Sequence, residues 1–168
     1  MCMRNRIALA RCRQGAVHAC EDGLAAARSS YEAASSHGQK KPELDHPHTV
    51  ALIGLSSIAR RQGKLEQALQ LCQDALPLAQ RISNPLQLAG IYGQRGTLLQ
   101  NLGRIEQAIA AYEKSRSLRE ECGDRRGLAI SLMNLGRILV NSGSSDRGEE
   151  QLQRALELFR ETGDLQGR

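Results

Sequence analysis

The sequence predicts an all-α protein: a solenoid of antiparallel helix pairs, about eight helices in four pairs. Three observations carry that prediction. The first is a forty-residue period, in which Gly96, Gly103, Leu118 and Gly123-Asp124 recur as Gly136, Gly143, Leu158 and Gly163-Asp164. A fixed period of this size marks a repeat array. The second is the spacing inside each period, where apolar residues fall on one face of a helix. The third is composition. The chain is 40% hydrophobic but only 2% aromatic, with no Trp, so its core must come from Leu, Ile and Ala, which suits closely paired helices. Each pair is expected to touch only its neighbours, giving an elongated stack.

Residues 1–41 fit a degenerate first repeat, a basic helical hairpin. Gly15, Val17, Ala27, Tyr31 and Ala34 keep the mutual spacing of Gly96, Leu98, Ala108, Tyr112 and Ser115, with Glu21-Asp22-Gly23 expected as the turn between helices. The polar stretch from His37 to His48 holds two prolines and predicts the longest loop. Residues 42–168 then hold three consecutive repeats, 48–87, 88–127 and 128–167. The first helix of each carries an apolar stripe: Leu52, Leu55, Ile58 and Ala59; then Tyr92, Leu98 and Leu99; then Leu132, Leu135, Ile138 and Leu139. Gly63, Gly103 or Gly143 ends that helix by permitting the left-handed cap. The second helix follows with Leu65, Ala68, Leu69, Cys72, Ala75 and Leu76 inward, or with Ile105, Ala108, Ile109, Tyr112 and Ser115. Small residues at Ala68, Ala108 and Gly148 admit a close approach of the paired helices. Gly123-Asp124 and Gly163-Asp164 stop one pair and cap the next, a task that falls to Asn84-Pro85 earlier in the chain.

Charge and composition exclude several function classes. The chain carries a net +5, and much of it sits early: Arg4, Arg6, Arg11, Arg13, Arg28, Lys40 and Lys41 face only Glu21, Asp22 and Glu32 within residues 1–41. A basic end attracts nucleic acid or anionic surfaces. Here no aromatics interleave the charges to stack bases, so a solvated helix face is favoured over a nucleic-acid surface. No run approaches the length of a membrane span, and arginine interrupts every apolar stretch at the start, unlike a signal peptide. The expected location is cytoplasmic. Five cysteines (Cys2, Cys12, Cys20, Cys72 and Cys122) form no CxxC pair, which points to reduced structural thiols, Cys72 among them as a small core residue. His46-Pro47-His48 lacks the further ligands of a tetrahedral metal site beyond Glu43 and Asp45. Phosphate-binding glycine loops, the GxSxG elbow and HExxH are all absent. The chain is expected to be no enzyme and to need no cofactor or metal.

The recurring positions resemble a tetratricopeptide repeat, in a forty-residue form. The motif appears as Leu132, Leu135-Gly136, Leu139, Gly143, Gly148, Leu152 and Ala155; as Tyr92, Arg95-Gly96, Leu99, Gly103, Ala108, Tyr112 and Ser115; and as Leu52, Leu55-Ser56, Ala59, Gly63, Ala68, Cys72 and Ala75. Arg95 in place of Leu, Gly148 in place of Ala, and the want of a leading Trp are departures from it. The stretch ELDHPHTVALIGLSSIARRQGKLEQAL is similar to kinesin-light-chain-like bacterial repeats. GDRRGLAISLMNLGRIL is similar to repeats of peptide-binding polarity adaptors and of the repeat arms of bacterial signalling ATPases. The resemblance implies a right-handed superhelical solenoid that binds a protein or peptide partner in its concave groove, as an adaptor or scaffold, with no chemistry of its own.

In this family the first helices of successive pairs line the groove. Mapped through the register, the candidate residues are Ser57, Arg60 and Arg61; Gln94, Thr97, Gln100 and Asn101; and Met133, Asn134, Arg137 and Asn141. Val50, Ile53, Gly54, Gly90, Gly93, Ile130 and Val140 complete the face. Amides suit the backbone of an extended peptide, arginines suit carboxylates, Gly90 and Gly93 open space, and Met133 is an adaptable wall. Asn134, in the NLG triplet, matches the backbone-clamping Asn of peptide-binding relatives. The Lys and Asn pattern of the chaperone-binding carboxylate clamp is not matched. A further capping helix is expected to begin in the final stretch Gly163-Asp164-Leu165-Gln166-Gly167-Arg168; without it, Leu152, Ala155, Leu156, Leu158 and Phe159 are expected to leave an apolar side open, for the rest of a longer array or for self-association. Two other functions stay open: a ligand-sensing or regulatory arm of a larger signalling ATPase or transcriptional regulator, and nucleic-acid association through the basic N-terminal helix.

Overall fold

The computed structural model describes residues 45–163, together with the isolated positions Gly23, Ala26 and Ser29. Among the described residues there are six α-helices and no strand: α1 (Asp45–Arg61), α2 (Leu65–Ile82), α3 (Pro85–Asn101), α4 (Ile105–Glu121), α5 (Arg125–Asn141) and α6 (Ser145–Glu161). The degenerate first repeat, with the pair of helices that would bring the count to eight, lies outside them. Gly23 is helical, not the turn expected of it. The chain divides into two compact units, residues 1–78 and 79–168.

In the first unit, α1 begins four residues inside the expected loop. Asp45 to His48 form its first turn, where a proline at position 47 forfeits no helical hydrogen bond. Thr49 Oγ1 donates to the Asp45 carbonyl at 2.7 Å. Leu52 and Ala59 are buried, and Ser56, also buried, donates to the Ala68 carbonyl of α2 at 2.8 Å with Cys72 Sγ 3.1 Å away. Cys72 is thus the small buried residue its position predicts. The helix α2 runs through Pro77, whose ring removes one rung of the ladder.

The second unit holds α3 to α6 after the last turn of α2. Its helices stop as the glycines predict: Gly103, Gly123 and Gly143 take φ of +73°, +66° and +89°. At each, the residue after the glycine closes a six-residue ring, Arg104 N to Leu99 O, Asp124 N to Arg119 O and Ser144 N to Leu139 O, at 2.9, 3.0 and 2.9 Å. Asp124 caps α5 through Gly127 N at 2.9 Å, and Asn84 caps α3 through Gln87 N at 3.0 Å. Ser83, where the other repeats have Gly123 and Gly163, is itself left-handed with φ +54°.

Paired helices meet through their small residues. A Cβ placed on Gly148 would lie 2.8 Å from the Gly136 carbonyl and from Val140 N, so α5 and α6 touch backbone to backbone. In the α3–α4 pair, a Cβ on Gly96 would lie 2.7 Å from the buried Tyr112 ring. Ile91, Leu98, Leu99, Leu132 and Ile138 fill the interior. Tyr92, placed on the inner stripe by the sequence, is only half-buried, and Ile91 beside it is the fully buried residue. Outside, α4 and α6 are joined by ion pairs one heptad apart, Glu113 with Arg147 at 3.9 Å and Glu120 with Arg154 at 2.5 Å.

Candidate functional site

Within the second unit, α3 and α5 occupy equivalent places in successive pairs, and α4 connects them. The buried Ser115 of α4 donates to the Ala89 carbonyl of α3 at 2.8 Å and meets Ser131 Oγ of α5 at 3.0 Å. The residues that follow Ala89 and precede Ser131, Gly90 and Ile130, start the outward stripes of the two helices. One turn earlier on α4, Tyr112 reaches α3 again. The Tyr112 hydroxyl lies 3.1 Å from both Thr97 Oγ1 and Gln100 Oε1, so its one proton goes to either acceptor. Burial raises the pKa of this phenol, while the Thr97 hydrogen bond and the positive charge of Arg137 on α5 pull it back.

The α5 stripe is the more open. Ile130 and Met133 are each 41% exposed, Arg137 and Asn141 are exposed, and Asn134 is half-buried. Leu128, Ala129, Ser131, Leu132, Leu135, Ile138 and Leu139 occupy the opposite, buried side. Helical geometry puts residues 130, 133, 134, 137 and 141 on one face. On α3, Gln94, Thr97 and Gln100 are half-buried and Asn101 exposed. A Cβ at Gly90 would meet nothing within 4 Å, so this residue borders open space.

The sequence therefore groups Met133, Asn134, Arg137 and Asn141 on one outward face, with Gln94 and Asn101 on the neighbouring helix. Thr97 and Gln100 are partly committed inward, to Tyr112. Val140 turns to its partner helix, where it packs at Gly148. In the first unit, α1 exposes Arg61 and half-buries Ser57 and Arg60. One signal went unnoticed in the sequence: α3 and α5 contain no Asp or Glu at all, whereas α4 carries four and α6 five.

On α6, Ala155 is buried against Leu128 and Leu132, with Leu158 and Phe159 packed partly against them. Leu156 is 41% exposed. Among the described residues, no three His, Cys, Asp or Glu gather as a metal site would require, and no helix is long and apolar enough to cross a membrane.

The model of one family, described as the MalT-like TPR region, matches residues 3–165. Among solved structures, BtubC (BKLC) from P. vanneervenii is 26% identical with a TM-score of 0.66, over 85% of this chain and 58% of that one. The chain thus spans less than two thirds of BtubC. Two crystal structures of MamA share its fold: one is 20% identical with a TM-score of 0.56, covering 76% of this chain and 67% of that one. The other is 19% identical with a TM-score of 0.59, covering 98% of both. No curated protein matches the chain.

Proposed function

We propose that this chain, which belongs to the MalT-like TPR family, is a protein-interaction module that holds a peptide or protein segment on the exposed face of its first helices. The observation that carries this reading is the α5 stripe, where two apolar side chains, an amide and a guanidinium stand outward together over a buried opposite side. Exposed apolar side chains grouped with polar ones are the kind of surface on which partners dock. Asn134 and Asn141 would hydrogen-bond the ligand backbone, Arg137 would take a carboxylate, and Met133 would pack on an apolar side chain. Ser57, Arg60 and Arg61 on α1, and Gln94, Thr97, Gln100 and Asn101 on α3, would extend the contact. In this reading residues 1–41 form a degenerate repeat ahead of three full ones, the array winds as a right-handed superhelix of eight helices, and it works in the cytoplasm as a scaffold without catalysis.

The family description is compatible with a second reading, a ligand-sensing or regulatory repeat arm of a larger signalling ATPase or transcriptional regulator. Both readings use the same face. A pull-down from source-cell lysate with the wild-type chain and with Asn134→Ala/Arg137→Glu tests them. Capture of a partner that the double variant loses, while its helical circular dichroism is unchanged, supports binding at this face. Equal capture by both rejects the face as the site.

A further inference from the structure

The proposed binding face has a definite chemical bias, and it comes from the distribution of charge between helices. Among the helices of the second unit, acidic residues fall only on the second of each pair, four on α4 and five on α6, while α3 and α5 have none along their lengths; Asp124, in the turn before α5, is engaged by Arg119 and Gly127 N. Part of the acidic set is spent on the outer ion pairs of Glu113 and Glu120. Nothing anionic on α3 or α5 competes with a ligand for Arg137. Beside Arg137 stand Met133 and Ile130, both 41% exposed, and at the position of α3 equivalent to Ile130, Gly90 leaves open space with no side chain to fill it.

Spacing gives the ligand its pattern. Met133 and Arg137 are one helical turn apart, about 6 Å along the axis. In an extended chain, residues i and i+2 point to the same side about 7 Å apart. An apolar side chain over Met133 and a carboxylate at Arg137 therefore belong on residues two apart in the ligand.

Resting on the interaction reading above, we propose that the α3–α5 face binds an extended acidic segment of another protein, in which a large apolar residue and a carboxylate two positions away engage Ile130–Met133 and Arg137. The residue between them points outward, and its backbone passes Asn134. The guanidinium is the specificity element: it donates a forked pair of hydrogen bonds to a carboxylate, which neither an amide nor a neutral residue reproduces.

Panning a random displayed 12-residue peptide library on the whole chain, at low salt, tests this. The enriched peptides are then synthesised with a fluorophore and titrated by anisotropy. Enrichment of an apolar–x–acidic pattern is the expected result. Arg137→Glu should weaken such a peptide by about tenfold or more, the worth of a charge-assisted pair. Replacing the peptide carboxylate by Lys should make the same variant bind better than the wild type. Peptides that enrich without a carboxylate at that spacing, yet are lost by Asn134→Ala, overturn the acidic assignment and leave the face in use. Peptides with an acidic residue three or four positions from the apolar one overturn the extended conformation instead, because that spacing marks a helical ligand. Peptides that bind Asn134→Ala/Arg137→Glu as tightly as the wild type overturn the face itself, and so does a failure to enrich any peptide above the blank resin.

Discussion

The α3–α4 and α5–α6 pairs share one sequence register and solve the same packing problem differently. Where α3 meets α4, Gly96 gives way to the full face of Tyr112, and the ring fills the space between helices. Where α5 meets α6, Gly136 and Gly148 lie opposite each other, Leu152 replaces the tyrosine, and the backbones themselves come into contact. The consequence reaches the outer surface. Tyr112 draws Thr97 and Gln100 of α3 inward through its hydroxyl. Leu152 has no hydroxyl, so the equivalent α5 positions are released: Arg137 stands out to solvent and Val140 packs on Gly148. A tyrosine on the second helix thus ties down polar groups of the first, and a leucine in its place makes no such claim.

The sharpest way to break this comparison is to add one carbon to each glycine contact. Gly148→Ala places a methyl group 2.8 Å from a carbonyl oxygen and a backbone nitrogen, neither of which can rotate away. It should cost about 3 kcal/mol, the upper end for overpacking, and exceed the gain of about 1 kcal/mol in helix propensity. Gly96→Ala meets a side chain instead, at 2.7 Å, and should cost less. Adding Tyr112→Leu should recover part of the loss at Gly96, while Leu152→Ala should recover none at Gly148. Urea denaturation of the wild type and these four variants distinguishes the two mechanisms, and equal rescue in both pairs would show that the backbone contact is not the limiting one.

A smaller effect is expected at the Tyr112 hydroxyl. Tyr112→Phe removes one internal hydrogen bond and should cost about 1 kcal/mol at neutral pH. The pH dependence has a defined sign. Burial raises the folded-state pKa above the ordinary 10.0, so the protonated phenol is favoured on folding. That contribution is complete below pH 10 and is lost as pH rises through the folded-state value. The wild type should therefore fall in stability above pH 10 more steeply than Tyr112→Phe, in thermal melts from pH 8 to 11.

The smallest expected change lies at the entrance to the same pair. Ser83 adopts the left-handed conformation that Gly123 holds in the next repeat. Ser83→Gly should stabilise the chain by roughly 0.5 kcal/mol, the strain relieved less the added freedom of the unfolded chain. A midpoint that moves down would mean that the Ser83 side chain contributes more than its backbone loses.

The sequence made the helix pairs legible because their signals are local. Gly103, Gly123 and Gly143 announce left-handed caps, and Asn84-Pro85 and Asp124 announce helix starts, each through the chemistry of a few adjacent residues. The start of α1 is hidden in the sequence because two prolines and two histidines around Asp45 look like a loop, although a proline is harmless in a first turn. The candidate face was legible only as a stripe. Periodicity puts Thr97 and Arg137 at the same helical angle, but it cannot reveal that Tyr112, fifteen residues further on, claims one and leaves the other. The absence of carboxylates from α3 and α5 was written in the sequence throughout, and it gained meaning only when both helices were seen to meet at Ser115.

That serine carries a consequence for how the array behaves as a whole. Ser115 has one hydroxyl proton and gives it to the Ala89 carbonyl, so the contact with Ser131 must run the other way, from Ser131 to Ser115. Three helices from two successive repeats are strung on a polar chain with a direction, inside an otherwise apolar layer. In a linear array, stability divides into what each repeat contributes alone and what it gains from its neighbour. This relay belongs to the neighbour's share. Severed at Ser115→Ala, the two pairs would each keep their own packing but lose a reason to melt at the same temperature, and cooperativity would suffer before stability did.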